Sequence, residues 1–154
     1  MSIIAQITRL TFDMTNGQEV EMIARIRASP RFIPELSLVA EVEGQPAGHL
    51  LISCEALRYS DGQPTDHAVP MLGPISVLPA FQRRGIDGAL IRRGLNLCHS
   101  HSEPMVTLFG HSGHYSRFGF HFVRKFGMLP AWDAAMVYLL RDDLSEVQGL
   151  HLPD

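Results

Sequence analysis

The chain is expected to fold as an α/β domain in which a strongly amphipathic helix packs on a sheet. Three observations predict this. Two β-rich runs, Ser37 to Glu43 and Pro46 to Glu55, flank a short Gly44-Gln45 turn, as a hairpin requires. From Gly85 to Ser100, at about 100° per residue, Ile86, Leu90, Ile91, Leu95, Leu97 and Cys98 share one half of a helix, and Arg92, Arg93, Asn96 and His99 the other. Short apolar runs then continue the strand pattern at Met105 to Phe109, and at Phe120 to Phe126 and Ala135 to Leu140, a final pair around Pro130.

In chain order, Ile3 to Leu10 alternates and reads as a first strand. Gly17 to Ala28 carries Val20, Ile23, Ala24 and Arg27 at helical spacing, and Pro30 and Pro34 end that helix. After the hairpin, the polar stretch Arg58 to His67, with Gly62 and Pro64, reads as a surface loop. Ala68 to Leu78 is the next apolar run; its strand-like part, Met71 to Val77, is interrupted by Gly73-Pro74, which removes an amide donor and predicts a bulge or an unpaired edge. Gly110 to Phe118 reads as a loop with at most a short helix. There is no repeat, low-complexity tract or linker, so residues 1–154 are expected to form one domain.

The bulk composition narrows the function. A chain of 154 residues with 45% hydrophobic and 19% charged residues is globular in type. Its formal net charge of -3 offers no broad basic field for a nucleic-acid backbone, so nucleic acid is not an expected partner. Cys54 and Cys98 lack C-x-x-C spacing, which suggests neither a disulfide framework nor a thiolate metal site, but two small buried apolar residues in a reducing cytoplasm. No stretch reaches the ~18 apolar residues of a spanning helix, and Met1 to Gln6 has no leader pattern, so a cytoplasmic protein without a membrane partner is expected.

The chemistry concentrates where the broken strand meets the helix. After the turn Leu78-Pro79-Ala80-Phe81 comes Gln82-Arg83-Arg84-Gly85-Ile86-Asp87-Gly88-Ala89, opening the amphipathic helix. A helix N-terminus carries unsatisfied N–H groups and a partial positive charge, and Gly85 and Gly88 let a phosphate approach the backbone. Arg83 and Arg84 add charge-assisted contacts to phosphate oxygens. The alternative is a glycine that merely suits the turn, beside solvated arginines.

Ile75-Ser76-Val77-Leu78-Pro79-Ala80-Phe81-Gln82-Arg83-Arg84-Gly85-Ile86, with Ala89-Leu90-Ile91 after it, resembles the central motif of the GNAT superfamily of N-acetyltransferases, Gln/Arg-x-x-Gly-x-Gly/Ala at a helix start behind a Val- and Leu-rich strand. Tyr115-Ser116-Arg117-Phe118-Gly119-Phe120 is similar to the family's late Tyr-x-x-x-Gly-Phe element, and the ending from Asp133 through Gly149 resembles a bacterial subgroup of predicted N-acetyltransferases. The resemblance implies an α/β (α+β) fold with a mixed, mostly antiparallel sheet of about seven strands flanked by helices, its two central strands splayed into a V-shaped cleft. It implies acetyl-coenzyme A as co-substrate, with pantetheine paired to the backbone of Ile75, Ser76 and Val77. The pyrophosphate would lie on Gln82, Arg83, Arg84, Gly85, Ile86, Asp87, Gly88 and Ala89. The implied reaction is transfer of acetyl to a primary amine by direct attack in a ternary complex, with Tyr115 protonating the departing thiolate and a backbone N–H of Ile75 to Val77 stabilising the oxyanion.

Two features depart from the pattern. Asp87 stands where the family has Gly or Ala; it is either a solvated helix-start carboxylate or one that repels the pyrophosphate. Ala68 to Val77 contains no Glu or Asp, which leaves Glu55, His67, His111, His114 or a water chain as general base. A non-catalytic acyl-coenzyme A-binding or interaction module on the same fold is therefore the alternative function. His99-x-His101 and His111-x-x-His114 lack carboxylate or cysteine partners at ligand spacing, so no metal is expected. Cys98, on the apolar half of the helix, argues against an acyl-cysteine route. Arg92 and Arg93 read as a solvated face from which either could reach the adenine-side phosphate. Edge strands near the C-terminus make a homodimer an open expectation.

Overall fold

The computed structural model describes Ile3, Ile4, Ile7 and residues 18–153. Its strands are β1 (Ser37–Val42), β2 (Gln45–Arg58), β3 (Pro64–Val77), β4 (Met105–Phe109), β5 (His121–Phe122) and β6 (Ala135–Leu139), and its helices α1 (Gln18–Arg27), α2 (Ile86–Ser100) and α3 (Ser112–Tyr115). The strands form a six-stranded mixed sheet in the order β1-β2-β3-β4-β6-β5. The chain divides into two compact units, Met1–Ser53 with Leu72–Leu97 and Cys54–Met71 with Cys98–Asp154.

In the first unit, β1 and β2 form the expected hairpin. Its turn lies one residue earlier than Gly44-Gln45: Val42 pairs with Gln45, and Glu43 (φ 51°) and Gly44 (φ 79°) both take left-handed backbone, the geometry that matches strand twist in a two-residue turn. β2 is buried on both faces from Ala47 to Ser53 because each face meets a helix. Ile23 and Ile26 of α1 pack with Leu51. The alternate residues Gly48, Leu50 and Ile52 face α2, where a methyl on Gly94 would stand 2.8 Å from Ile52 Cδ1 and 3.1 Å from Leu50 Cδ2. Such period-two alternation is how one strand serves two layers.

The expected first strand at Ile3 to Leu10 is not observed. Ile3, Ile4 and Ile7 are helical, and the remainder of that stretch lies outside the described residues. Ile7 is buried at the i+4 position from exposed Ile3, a spacing that serves a helix face as readily as a strand. Six strands rather than about seven follow among the described residues.

The second unit holds its own core, including Leu57, Val69, Met105, Met128, Val137 and Leu152. β4 and β6 pair antiparallel from Met105 opposite Leu139 to Phe109 opposite Ala135, and Met71 of β3 stands parallel to Thr107. The buried Thr107 hydroxyl donates to the Pro70 carbonyl at 2.9 Å. The expected loop Arg58 to His67 is shorter: Tyr59 N–H donates to Gln63 C=O and Gly62 N–H to Tyr59 C=O, both at 2.9 Å, and β3 starts at Pro64. Buried Thr65 next to exposed Asp66 shows the alternation that the polar composition concealed. Likewise the expected strand Phe120 to Phe126 is a strand only at His121–Phe122 and then a 3-10 turn, Val123–Phe126, closed by Gly127 at φ 77°.

Candidate functional site

In the first unit, β3 ends at Val77, and the loop that follows is tied down by a run of short bonds. Leu78 N–H donates to the Ala47 carbonyl at 2.8 Å, and Phe81 N–H to the Leu78 carbonyl at 2.8 Å, closing the 3-10 turn Pro79–Phe81. The Gln82 side chain folds back and donates from Nε2 to the Val77 carbonyl at 3.0 Å. Gln82 thus organises the loop by occupying the last strand carbonyl.

Arg83 (φ 64°) and Gly85 (φ 77°) both take left-handed backbone, which turns the chain into the start of α2. The first intrahelical bond of α2 runs from Ala89 N–H to the Gly85 carbonyl at 3.0 Å, so Gly85, Ile86 and Gly88 donate to no carbonyl within the helix. Arg83, Arg84 and Gly85 are exposed, with the Arg84 guanidinium 5.5 Å from the Phe81 ring centroid. Open space lies where a Gly85 side chain would project. Unpaired helix-start amides and the dipole are groups that can receive a phosphate. Asp87 is half-buried in the first turn, Ala89 is exposed, Ser76 and Val77 are buried, and Ile75 is half-buried.

Gly48 was not singled out by the sequence. A methyl there would stand 2.9 Å from the Ser76 carbonyl oxygen, 3.3 Å from Leu90 Cδ1 and 3.4 Å from Ile86 Cγ2. It sets the spacing between β2, the strand segment Ile75 to Val77 and the first residue of α2. A glycine inside an otherwise apolar strand was the available signal.

On the other face of β2 lies a fully buried His49. The Ser37 hydroxyl accepts from Arg27 Nη1 at 3.1 Å and is bonded to His49 Nε2 at 3.2 Å, while His49 Nδ1 has no hydrogen-bond partner among the described residues. Burial, and then the Arg27 charge, hold the imidazole down at about 4, so it is neutral at pH 7.

In the second unit, Tyr115 is the last residue of α3 and is half-buried. Its ring lies against the Cα of Gly110, so close that any side chain there would meet it. Phe120 crosses it edge-on at 5.9 Å, and His114 at 4.9 Å. Gly119 takes φ 97° and lies under the Tyr138 ring, where a methyl would stand 2.9 Å from it. The Tyr-x-x-x-Gly-Phe spacing therefore works as one packing unit: a short helix presents Tyr115, a left-handed glycine reverses the chain, and buried Phe120 anchors it.

The expected base candidates are differently placed. His114 Nδ1 accepts from Arg117 Nη2 at 2.9 Å, which occupies the lone pair a base would use. His111 is exposed at the start of α3, where its carbonyl accepts from His114 and Tyr115 amides. His67 Nδ1 is 3.9 Å from Glu146 Oε2 beside Asp66, Arg141 and Asp143, and Glu55 is half-buried in β2. Both thiols are pushed up, Cys54 to about 11 and Cys98 to about 12, first by burial and then by the nearby Glu103 carboxylate. Neither is a nucleophile at neutral pH.

No helix among the described residues is long and apolar enough to cross a membrane. No protein-family model matches the chain. A curated relative, an uncharacterized N-acetyltransferase YjhQ of Escherichia coli strain K12, is 31% identical over 104 residues, 68% of this chain and 56% of that protein, so the match spans little more than half the relative's length. A GNAT family N-acetyltransferase, YhbS of Escherichia coli, solved in complex with CoA, shares the fold with a TM-score of 0.78 at 23% identity, over 96% of this chain and 81% of that one. A GNAT family acetyltransferase from Brucella melitensis, solved in complex with acetyl-CoA, is 32% identical with a TM-score of 0.70, over 92% of this chain and 82% of its own. With the loop and helix geometry above, that identity over nearly the whole length means that the chain belongs to the GNAT family of acetyltransferases.

Proposed function

We propose that the protein is an N-acetyltransferase that moves acetyl from acetyl-coenzyme A to a primary amine by direct attack in a ternary complex. The observation that carries this reading is the Gln82 to Gly85 loop opening α2, in a chain 32% identical to an acetyltransferase solved with acetyl-CoA. The loop amides, Arg83 and Arg84 hold the pyrophosphate, and the backbone of Ile75 to Val77 receives the pantetheine.

In the reaction, the neutral amine attacks the thioester carbonyl carbon, and a backbone N–H of Ile75 to Val77 stabilises the oxyanion. The C–S bond then breaks, and Tyr115 gives its phenolic proton to the departing thiolate. The tyrosinate regains a proton from the new ammonium through water, which leaves the N-acetyl product neutral. With His114 Nδ1 already accepting from Arg117, a water chain is the simpler route for that proton.

Tyr115→Phe tests the assignment: kcat falls at least tenfold, with the calorimetric acetyl-coenzyme A affinity preserved. Asp87, in the first helical turn, favours a second reading in which the fold binds acyl-coenzyme A without transfer. Cofactor binding with no turnover of any amine in a broad panel, in both wild type and Tyr115→Phe, would establish that reading. Absence of heat or thermal shift up to millimolar acetyl-coenzyme A would sink both.

A further inference from the structure

Tyr115 ends a helix of only four residues, α3, which starts without a side-chain cap. A single helical turn fixes several residues for very few hydrogen bonds and holds little by itself, so the direction of the Tyr115 ring depends on what packs around it. Gly110 lies against the ring and is fixed through its backbone, its N–H donating to the Ala134 carbonyl at 2.8 Å. Phe120 is buried and leans in turn on Tyr138, with centroids 5.6 Å apart. The third neighbour is the His114 ring, which crosses Tyr115 at 76° and Phe118 at 71°. It is half-buried and stands on the same short turn as the tyrosine it supports.

Arg117 supplies its anchor. One guanidinium donates from Nη2 to His114 Nδ1 at 2.9 Å and from Nε to the His114 carbonyl at 3.4 Å. The first bond fixes the imidazole plane and, since an arginine can only donate, leaves the proton of a neutral ring on Nε2. The second reaches a carbonyl that a helix end leaves unsatisfied. A planar fork with nitrogens at fixed separation is suited to tie a side chain to its own backbone, as a single flexible ammonium is not.

We propose that Arg117, acting through His114, is a positioning residue that holds the Tyr115 ring in the orientation from which its phenol gives up the proton. This inference rests on the acetyltransferase reading above, in which Tyr115 is the acid, and it makes His114 a support for that acid rather than a base.

Arg117 is exposed, so its substitution leaves the unit's core in place. Protein labelled on the rings of its three tyrosines gives three sets of signals by NMR, and Tyr115→Phe assigns one of them. In Arg117→Ala the Tyr115 signals are expected to move as they do in His114→Ala, while those of Tyr59 stay in place. Turnover is followed as thiol release from acetyl-coenzyme A with n-butylamine as acceptor. Here kcat falls roughly fivefold in Arg117→Ala and in Arg117→Lys, with KM for acetyl-coenzyme A kept, as loss of one edge-on ring contact requires. Adding Arg117→Ala to Tyr115→Phe costs nothing further. His114→Phe, whose ring packs without a tether, keeps most of kcat and makes Arg117 dispensable. A merely structural arginine would lower the rate equally with and without the phenol. Unmoved Tyr115 signals, a wild-type rate in Arg117→Ala or Arg117→Lys, or an equal loss in the Tyr115→Phe background overturns the positioning role and leaves the acetyltransferase reading standing. A wild-type rate in Tyr115→Phe removes the acid, and no thiol release by the wild type sinks that reading; either result takes the positioning role with it.

Discussion

Replacing Gly48 by alanine probes how β2 supports the segments proposed to receive coenzyme A. The added methyl would stand 2.9 Å from the Ser76 carbonyl oxygen, closer than a carbon and an oxygen settle, and 3.3 and 3.4 Å from Leu90 and Ile86 side-chain termini. The termini can rotate away, but the carbonyl moves only with β3. Overpacking of this kind costs about 1–3 kcal/mol. The reduced freedom of the unfolded chain returns about 0.4–1 kcal/mol. The net loss of about 0–2.6 kcal/mol, at about 2–4 °C per kcal/mol for a chain of this length, lowers Tm by up to roughly 10 °C. Because Ser76 and Ile86 belong to the segments proposed to receive pantetheine and pyrophosphate, calorimetric titration should also show weaker acetyl-coenzyme A binding. Gly94→Ala is the control, since its methyl meets only the ends of Ile52 and Leu50 and its affinity should be kept. A Gly48→Ala protein with unchanged affinity, or one more stable than wild type, would refute the reasoning.

Two further substitutions separate charge from packing. Asp87→Asn removes a first-turn carboxylate, so acetyl-coenzyme A should bind more tightly, while urea unfolding shows a loss of about 0.3–1 kcal/mol from the helix dipole; affinity unchanged at low salt would mean that the carboxylate points away from the phosphates. For His49, the folded value near 4 lies below the unfolded 6.5, so between these pH values the unfolded chain binds a proton that the folded chain refuses. Stability from this group is full above pH 6.5 and declines by up to about 3 kcal/mol as pH falls to 4. His49→Gln should flatten that slope in urea unfolding between pH 4 and 7, and an unaltered slope would contradict the assignment.

What could be read from the chain follows how local each determinant is. α2 was expected at Gly85 to Ser100 and runs Ile86–Ser100, because one apolar half and a glycine start act within a few residues. The same holds for β4, found where expected at Met105–Phe109. The N-terminal stretch misled because Ile3 and Ile7 fit either period, and Phe120 to Phe126 because composition does not show that Gly127 curls Val123–Phe126 into a 3-10 turn. Of the residues proposed to act, Gln82 to Gly85 and Tyr115 were named from the motifs they resemble. Gly48 and Gly110 could not be named so, since each acts on residues that only the fold brings near. The back-folding of Gln82 onto Val77 was likewise invisible, as a glutamine beside arginines reads first as a ligand group.

The high values of Cys54 and Cys98 bear on life beside a thiol product. Acetyl transfer as proposed releases free coenzyme A at every turnover, and its oxidised forms can cap exposed protein thiols as mixed disulfides. Exchange needs a thiolate, and a Cys54 held at about 11 is ionised in roughly one molecule in ten thousand at pH 7. Cys98, at about 12 and buried, is rarer still. The chain should therefore stay unmodified in a coenzyme A disulfide pool that would inactivate an enzyme with an acidic, open cysteine.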